Sequence, residues 1–294
     1  MKHVLVREIV QLCERNKDGS FSTQAARKDI LIQAGKQLLE IGRFRNMGVT
    51  GLKPKHVQFL VNQWQKVDRL SDATIKNRIA HLRWWADKIN KQNVIPKTNA
   101  ELGVSRRKYV TNQNKAIRIS DEILKNIKDE RLRCSIELQR AFGLRREEAL
   151  KFQPSYALAG GYPGIVRLKA SWCKGGRARE IPILNDYQKA VLARAAMLAG
   201  AGSMIPAGQR YVERLKQYEN TTNFLGLSRL HGLRHAYAQD RYKELTSWEC
   251  PARGGPTNKQ LDPEQKEADR SARLTISNEL GHNRENITAV YLGR

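Results

Sequence analysis

Residues 230–236 read Leu-His-Gly-Leu-Arg-His-Ala and lie in a segment, 229–243, whose pattern predicts an α-helix. The spacing His231-x-x-Arg234 places the imidazole and the guanidinium on one face of that helix. A guanidinium stays charged and forks onto two oxygens of a phosphate, so arginine suits a phosphodiester ligand. This stretch therefore predicts a helix face that binds phosphate.

Three further segments carry side chains suited to the same chemistry. They are AFGLRREEAL at 141–150, the turn CKGG at 173–176, and residues 280–291, which begin with LGH and end with a tyrosine. A tyrosine hydroxyl is a competent covalent nucleophile when a neighbour takes its proton, and a lysine ammonium can protonate a departing sugar oxygen. Arginines can stabilise the charge that develops on the phosphate without a metal. Together the segments predict phosphodiester cleavage through a covalent intermediate.

The charge of the chain points to a polyanionic partner. Among 294 residues, 53 are Lys or Arg and 29 are Asp or Glu, a net charge of +24. The excess is +13 in residues 1–114 and +11 in residues 115–294. Charge spread over both halves suits two domains that bind one long ligand. Nucleic acid is the simplest such partner, and an anionic membrane surface is the less frequent alternative.

Composition excludes several other classes. No window of ~18 consecutive apolar residues exists, so we expect no transmembrane helix. The charged N-terminus lacks the apolar core of a secretory signal. The four cysteines form no C-x-x-C pair, so we expect neither a zinc cage nor a disulfide framework, and a reducing cytosol is the default.

The first part of the chain reads as helical. An apolar stripe runs through residues 22–41, with Ala25 and Ala26 among its members. Pro54 is placed to open the next helix, and Ser71 to cap the one after it. Residues 91–118 lack clean periodicity and are interpreted as a linker, with the domain boundary near residue 112.

The second part mixes helices with a short sheet. Helices are predicted after Ser120 and over 131–150, continuing around Gly143. Residues 164–168 and 179–183 flank a turn at 173–176 and predict a β-hairpin. Further helices are predicted near 186–199, 208–219, 229–243 and 264–280, with a Pro/Gly-rich loop at 246–263.

The ordered set of motifs resembles the tyrosine recombinases, the family of phage integrases and Xer-like site-specific DNA recombinases. The matching motifs are G-L-R-x-x-E with Arg145 and Glu148, K-G-G-x-x-R-E-I-P-I with Lys174, H-x-L-R-H with His231 and Arg234, and L-G-H with His282, followed nine residues later by Tyr291. By motif, the resemblance covers about residues 116–291; further upstream it extends only through helical, basic character. Lys169 is a nearby alternative to Lys174.

The resemblance implies a fold that is mainly α with a small β-hairpin, arranged as a two-domain DNA clamp. Residues 1–112 would form the helical core-binding domain, and residues 113–294 the catalytic domain. The implied roles are Tyr291 as nucleophile, Arg145, Arg234 and His282 as ligands of the non-bridging oxygens, His231 as an aid to proton removal, and Lys174 as donor to the leaving 5′-oxygen. Glu148 is expected to brace an arginine or the fold.

The resemblance also implies partners and conditions. The substrate would be double-stranded DNA, cut by a homotetramer on two paired sites, with an accessory DNA-bending protein as a further expected partner. No cofactor, ATP, metal or membrane is expected, and the place of action would be the bacterial cytoplasm at the nucleoid. The interval from Arg234 to His282 is about two dozen residues longer than in compact relatives. The sequence ends three residues after Tyr291, where relatives usually continue into a segment that docks on a neighbouring subunit.

Several functions remain open on the sequence. The leading hypothesis is integration or excision of a mobile element by a site-specific recombinase. An Xer-like dimer resolvase would differ only in its target DNA. A DNA-binding protein that does not cut would have no need of a nucleophile, and a type IB topoisomerase would relax supercoils with little sequence preference. A membrane-surface protein would need a lipid-facing helix stripe, which the sequence lacks.

Overall fold

A computed structural model of the protein describes residues 4–106, 109–159, 164–282 and 285–294. The chain divides into two compact units, residues 1–108 and 109–294, each with its own hydrophobic core. Helices dominate both units, and the strands form one antiparallel hairpin in the second. The predicted fold class, mainly α with a small β-hairpin, is therefore confirmed. No described helix is long and apolar enough to cross a membrane.

The first unit is helical, as predicted. Its helices are α1 (Val4–Arg15), α2 (Phe21–Lys36), α3 (Pro54–Asn62) and α4 (Asp72–Lys88). Pro54 opens α3, and the Ser71 side chain accepts a hydrogen bond from the backbone N–H of Thr74 at the start of α4. The predicted linker, 91–118, contains short 3₁₀ turns at Gln92–Val94 and Ala100–Leu102; its residues 107 and 108 lie outside the described residues.

The apolar stripe predicted for residues 22–41 is partly wrong. Helix α2 ends at Lys36 and continues as a π-helical turn, Gln37–Ile41, while Ala25 and Ala26 are exposed. Arg27 is buried instead. Its guanidinium pairs with the Asp18 carboxylate at 3.0 Å and stacks on the Trp84 ring at 4.2 Å. Burial of a long cationic stem is tolerated here because its charge is paired and its plane covers an aromatic face.

The second unit holds the remaining elements. These are α5 (Asp121–Lys125), α6 (Glu130–Phe142), α7 (Arg146–Leu150), α8 (Pro154–Ala157), β1 (Ile165–Leu168), β2 (Arg179–Pro182), α9 (Asp186–Ala199), α10 (Tyr211–Phe224), α11 (Gly232–Thr246), α12 (Pro263–Glu279) and α13 (Glu285–Leu292). The predicted hairpin is confirmed, with Ile165 opposite Pro182 and Leu168 opposite Arg179. Helix α11 packs against α6, α12 and α13 and forms the centre of this unit.

The helix predicted through Gly143 is interrupted at that residue. Gly143 has φ +59°, a left-handed conformation that caps α6, and α7 starts only at Arg146. A Cβ at this position would lie 2.7 Å from Cδ1 of Tyr237, so α11 approaches the glycine backbone closely. Glycine is suited to both requirements because it has no Cβ. The break places Arg145 just before a helix instead of in the middle of one.

The predicted loop at 246–263 is confirmed, but it is packed against the unit and not free. Residues between α11 and α12 include a 3₁₀ turn, Pro251–Arg253, that contacts α13. Cys250 is fully buried in the main core of the unit. The additional residues of this interval therefore support the helix that carries Tyr291.

Candidate active site

Three predicted site residues converge on an imidazole nitrogen of a fourth, His282. His282 Nε2 lies 3.3 Å from Arg145 Nη2, 3.4 Å from Arg234 Nη2 and 3.4 Å from Tyr291 Oη. These side chains come from the start of α7, from α11, from α13 and from the turn after α12. Packing thus assembles residues that are up to 146 positions apart in the sequence.

Arg145 is held from behind by a buried carboxylate. Its backbone N–H donates to Glu148 Oε2 at 2.7 Å, and its Nη1 donates to Glu148 Oε1 at 2.7 Å. Glu148 is fully buried, whereas the Arg145 side chain is 19% exposed. The carboxylate therefore fixes one edge of the guanidinium and leaves Nη2 directed at the centre of the site, so Glu148 braces an arginine as expected.

Arg234 is buried and almost fully committed to backbone acceptors. Nη1 donates to the carbonyl of Gly143 at 2.6 Å, and Nη2 donates to the carbonyl of Leu280. Nε donates to Tyr291 Oη at 3.2 Å. The guanidinium is thus held against the candidate nucleophile by the two turns that end α6 and α12.

The ring of Tyr291 lies among three histidines. Its centroid is 4.7 Å from that of His235, and 6.1 Å from those of His231 and His282. His231 immediately precedes α11, whereas Arg234 lies inside that helix and is buried. Both side chains nevertheless reach Tyr291.

Lys174 is exposed on the turn between the two strands. Its charge is one of those that lower the pKa of His231, after burial and the charges of Arg234 and Arg145. The alternative, Lys169, places its Nζ 5.5 Å from the centre of the Tyr156 ring. The charge of Lys174 thus acts on a residue of the site, whereas Lys169 contacts an aromatic ring of α8.

The electrostatics favour neutral histidines and a charged carboxylate. Burial, and then the charges of Arg234 and Arg145, lower the pKa of His282 to about 4. Burial and the charge of His231 lower the pKa of His235 to about 4. Burial alone would raise the pKa of Glu148, but its bonds to arginine prevail and lower it to about 2.

Arg179 is a further residue of the site for which the sequence predicted no function. Arg179, in the hairpin motif, is buried and donates to both carboxylate oxygens of Glu148, at 2.9 and 2.6 Å. The signal was its place in the same motif as Lys174. Within the described ranges, no group of three or more His, Cys, Asp or Glu side chains could hold a metal ion.

Two family models cover most of the chain. The model described as "Phage integrase, N-terminal" matches residues 1–94, and the model described as "Integrase" matches residues 105–240. The chain belongs to the tyrosine recombinase family. It is a site-specific DNA recombinase, as the motifs predicted. No curated protein sequence matches it.

Solved structures share the fold of this recombinase. A XerH site-specific recombinase bound to palindromic difH substrate is 16% identical, with a TM-score of 0.61 over 98% of this chain and 81% of that chain. A lambda integrase dimer bound to a COC′ core site is 16% identical, with a TM-score of 0.60 over 98% and 77%. The Tn1549 transposon integrase in complex with circular intermediate DNA is 12% identical, with a TM-score of 0.56 over 100% and 96%.

The lowered histidine pKa values predict that acid destabilises the recombinase before its carboxylates titrate. His235 is buried and binds a proton more weakly when folded than when unfolded. Its contribution to stability is therefore complete above its unfolded pKa, roughly 6.5, and is lost as pH falls toward about 4. In urea titrations between pH 7 and pH 4.5, the free energy of unfolding should fall as the pH falls. One such histidine accounts for a decrease of up to about 1.4 kcal/mol per pH unit. His235→Gln should flatten this slope; an unchanged slope would contradict the assignment.

Proposed function

We propose that this recombinase cuts and rejoins DNA through a 3′-phosphotyrosyl intermediate formed on Tyr291, and that it integrates or excises a mobile element. The observation that carries the chemistry is the convergence of Arg145, Arg234 and Tyr291 on His282 Nε2. The role in mobile elements is supported by both family models, whose descriptions name integrases.

The charges of the site suit a phosphodiester in its transition state. The guanidiniums of Arg145 and Arg179 bond the carboxylate of Glu148, and the charge of Arg234 also lowers the pKa of that carboxylate. The surplus positive charge faces the space beside Tyr291, where a phosphate would add negative charge as it is attacked. We assign Arg145, Arg234 and His282 to the non-bridging oxygens of that phosphate.

The covalent step exchanges one phosphoester for another. The Tyr291 oxygen forms a bond to phosphorus while the bond from phosphorus to the 5′-oxygen breaks. The phenol proton leaves with the help of His231, and Lys174 supplies a proton to the departing 5′-oxygen. A 5′-hydroxyl of the same or a partner strand then attacks the phosphotyrosine, so that the tyrosine is released and the backbone is resealed.

Replacing Lys174 should impair the departure of the 5′-oxygen specifically. Lys174→Ala is expected to slow cleavage by about 10²- to 10⁴-fold, because an alkoxide leaves poorly without a proton. On DNA with sulfur in place of the bridging 5′-oxygen, the thiolate leaves unprotonated and the variant should cleave nearly as fast as the parent. Single-turnover cleavage rates on the two substrates measure this effect. Lys169→Ala is the matched control. If Lys169→Ala cleaves normal DNA slowly and DNA with the bridging 5′-sulfur at the parent rate, the assignment of the two lysines is reversed.

The domain roles and assembly belong to the same proposal. Residues 1–112 would bind the core site, and residues 113–294 would cut it, with positive charge in both parts to match the two-sided contact. A tetramer on two paired sites, assisted by a DNA-bending protein, would carry out strand exchange at the nucleoid in the bacterial cytoplasm. The solved DNA complex of a lambda integrase is a dimer on one core site, which is compatible with such pairing.

Covalent trapping on a random duplex library tests the function as a whole. The duplexes carry nicks, so that a cleaved fragment diffuses away and the phosphotyrosine persists through denaturation with SDS. Recombinase activity predicts protein–DNA adducts that proteinase shifts, enriched for one sequence pattern. Adducts without enrichment would indicate a topoisomerase-like activity, and tight binding without adducts would indicate a protein that does not cut.

Two copies of the enriched site on one plasmid then test the biological role. Integration and excision predict deletion or inversion of the intervening DNA. Exchange restricted to directly repeated sites on plasmid dimers would favour the Xer-like resolvase instead.

A further inference from the structure

Arg179, the first residue of β2, lies at the junction of three segments of the active site. Nη1 and Nη2 donate to the two oxygens of Glu148, and Nε donates to the backbone carbonyl of Glu279 at 2.8 Å. Nη1 also lies 3.3 Å from Cys173 Sγ in the hairpin turn. The side chain is 4% exposed, and no described contact joins it to Tyr291.

Glu148 connects Arg179 to a proposed ligand of the phosphate. Each carboxylate oxygen accepts one hydrogen bond from Arg179 and one from Arg145. Because Glu148 is fully buried, its charge requires both partners. Loss of the Arg179 fork would leave the carboxylate underbonded and free to rotate, and the Arg145 guanidinium would move with it.

The other side of Arg179 supports the turn that presents His282. Gly281 has φ +70°, and a Cβ there would lie 3.0 Å from Arg179 Cδ and 3.1 Å from Nη1. The arginine stem thus packs directly on the backbone immediately before His282. The same turn supplies the Leu280 carbonyl that accepts a bond from Arg234.

We propose that Arg179 is a positioning residue for DNA cleavage, which aligns Arg145 through Glu148 and His282 through Gly281 on the non-bridging oxygens of the scissile phosphate. It acts on the phosphate charge and not on the leaving group, although it belongs to the hairpin that carries Lys174. This inference rests on the proposed function, since it assigns Arg179 to the same phosphate site.

Arg179→Lys retains a positive charge but loses the fork and the Nε donor. A misplacement of about 1 Å can reduce a reaction rate by about 10²-fold, and we expect a loss of that size in single-turnover cleavage with DNA affinity nearly unchanged. The substrate is a nicked duplex that carries the site recovered by covalent trapping. Three versions are compared: a normal scissile phosphate, a methylphosphonate that lacks one non-bridging charge, and a phosphorothiolate with a bridging 5′-sulfur.

The pattern across substrates separates positioning from structural support. A residue that aligns the phosphate ligands matters less when a non-bridging charge is missing, so we expect the defect to shrink to less than about tenfold on the methylphosphonate. On the phosphorothiolate the defect should persist. Rescue by the phosphorothiolate instead would mean that Arg179 acts through Lys174, and an equal defect on all three substrates would mean a structural role only; either result overturns the inference.

Two further variants complete the test. Arg214→Lys is the matched control, because Arg214 is 1% exposed and forks onto Asp129, a residue outside the site; it should show no cleavage defect on any substrate. Glu148→Gln should reproduce the substrate pattern of Arg179→Lys, which keeps the inference testable if that variant is unstable. A parent protein that forms no adduct would refute the proposed function, whereas Arg179→Lys cleaving as fast as an active parent would refute this inference alone.

Discussion

Tyr291→Phe is expected to abolish covalent adduct formation, with a loss of at least about 10⁴-fold, because phenylalanine has no oxygen to bond to phosphorus. The change removes a single atom. Tyr291 is 6% exposed, and its hydroxyl contacts Arg234 and His282 within the site. Folding should therefore weaken by only about 1 kcal/mol, the net contribution of one hydrogen bond. DNA affinity should remain close to that of the parent.

The measurement is the trapping assay on nicked duplexes, with both proteins at equal concentration. Tyr242→Phe is the matched control, since its hydroxyl is also buried but donates to Asp269 at 2.5 Å. Adducts that persist in Tyr291→Phe would show that another tyrosine is the nucleophile. Tyr237, whose hydroxyl donates to Glu279 at 2.8 Å, would then be replaced next.

Arg234→Gln is expected to cost activity without a comparable cost in stability. Loss of one arginine that stabilises phosphoryl transfer typically reduces the rate by about 10³-fold or more. Burial, and then the charges of Arg145 and Arg179, lower the pKa of Arg234 to about 10, against the opposing effect of Tyr291. The folded state therefore holds this charge at a cost, and a neutral glutamine removes that cost while it can still donate to one backbone carbonyl. We expect the free energy of unfolding to change by no more than about 1 kcal/mol.

Arg214→Gln should show the opposite pattern. Arg214 is as deeply buried as Arg234, but it forks onto the carboxylate of Asp129 at 2.5 and 2.9 Å. Its removal leaves Asp129 without that partner, so we expect roughly 1–3 kcal/mol of destabilisation and an unchanged cleavage rate. Urea titration and single-turnover cleavage of both variants provide the comparison. Equal loss of stability in the two variants would mean that Arg234 is mainly structural.

Local patterns predicted most of the secondary structure. The cap at Ser71 and the start at Pro54 are confirmed because a side-chain acceptor and a fixed φ act within one helical turn. The hairpin is confirmed because its strands are short and close in sequence. The break at Gly143 was missed, since it depends on the close approach of Tyr237 from a helix about ninety residues later.

The candidate site also combines features that local sequence predicted with features that depend on distant segments. The motif residues Arg145, Arg234, His282 and Tyr291 meet within hydrogen-bond distance, but Lys174 is exposed on its turn and its role remains a proposal. Arg179 belongs to the hairpin motif, but the sequence predicted no role for it. Nothing local in the chain indicates that its partner would be Glu148, 31 positions earlier.

By itself, the sequence determined the family, the helical character and the chemical groups available for cleavage, because residue types at short, ordered spacings carry that information. Only the tertiary structure decided which arginine faces Tyr291, which two are held by Glu148, and how the 246–263 loop supports the helix of the nucleophile. Pairing between distant segments depends on how helices pack around a shared core. Burial then determines which charges must find partners, and neither condition can be read from neighbouring residues.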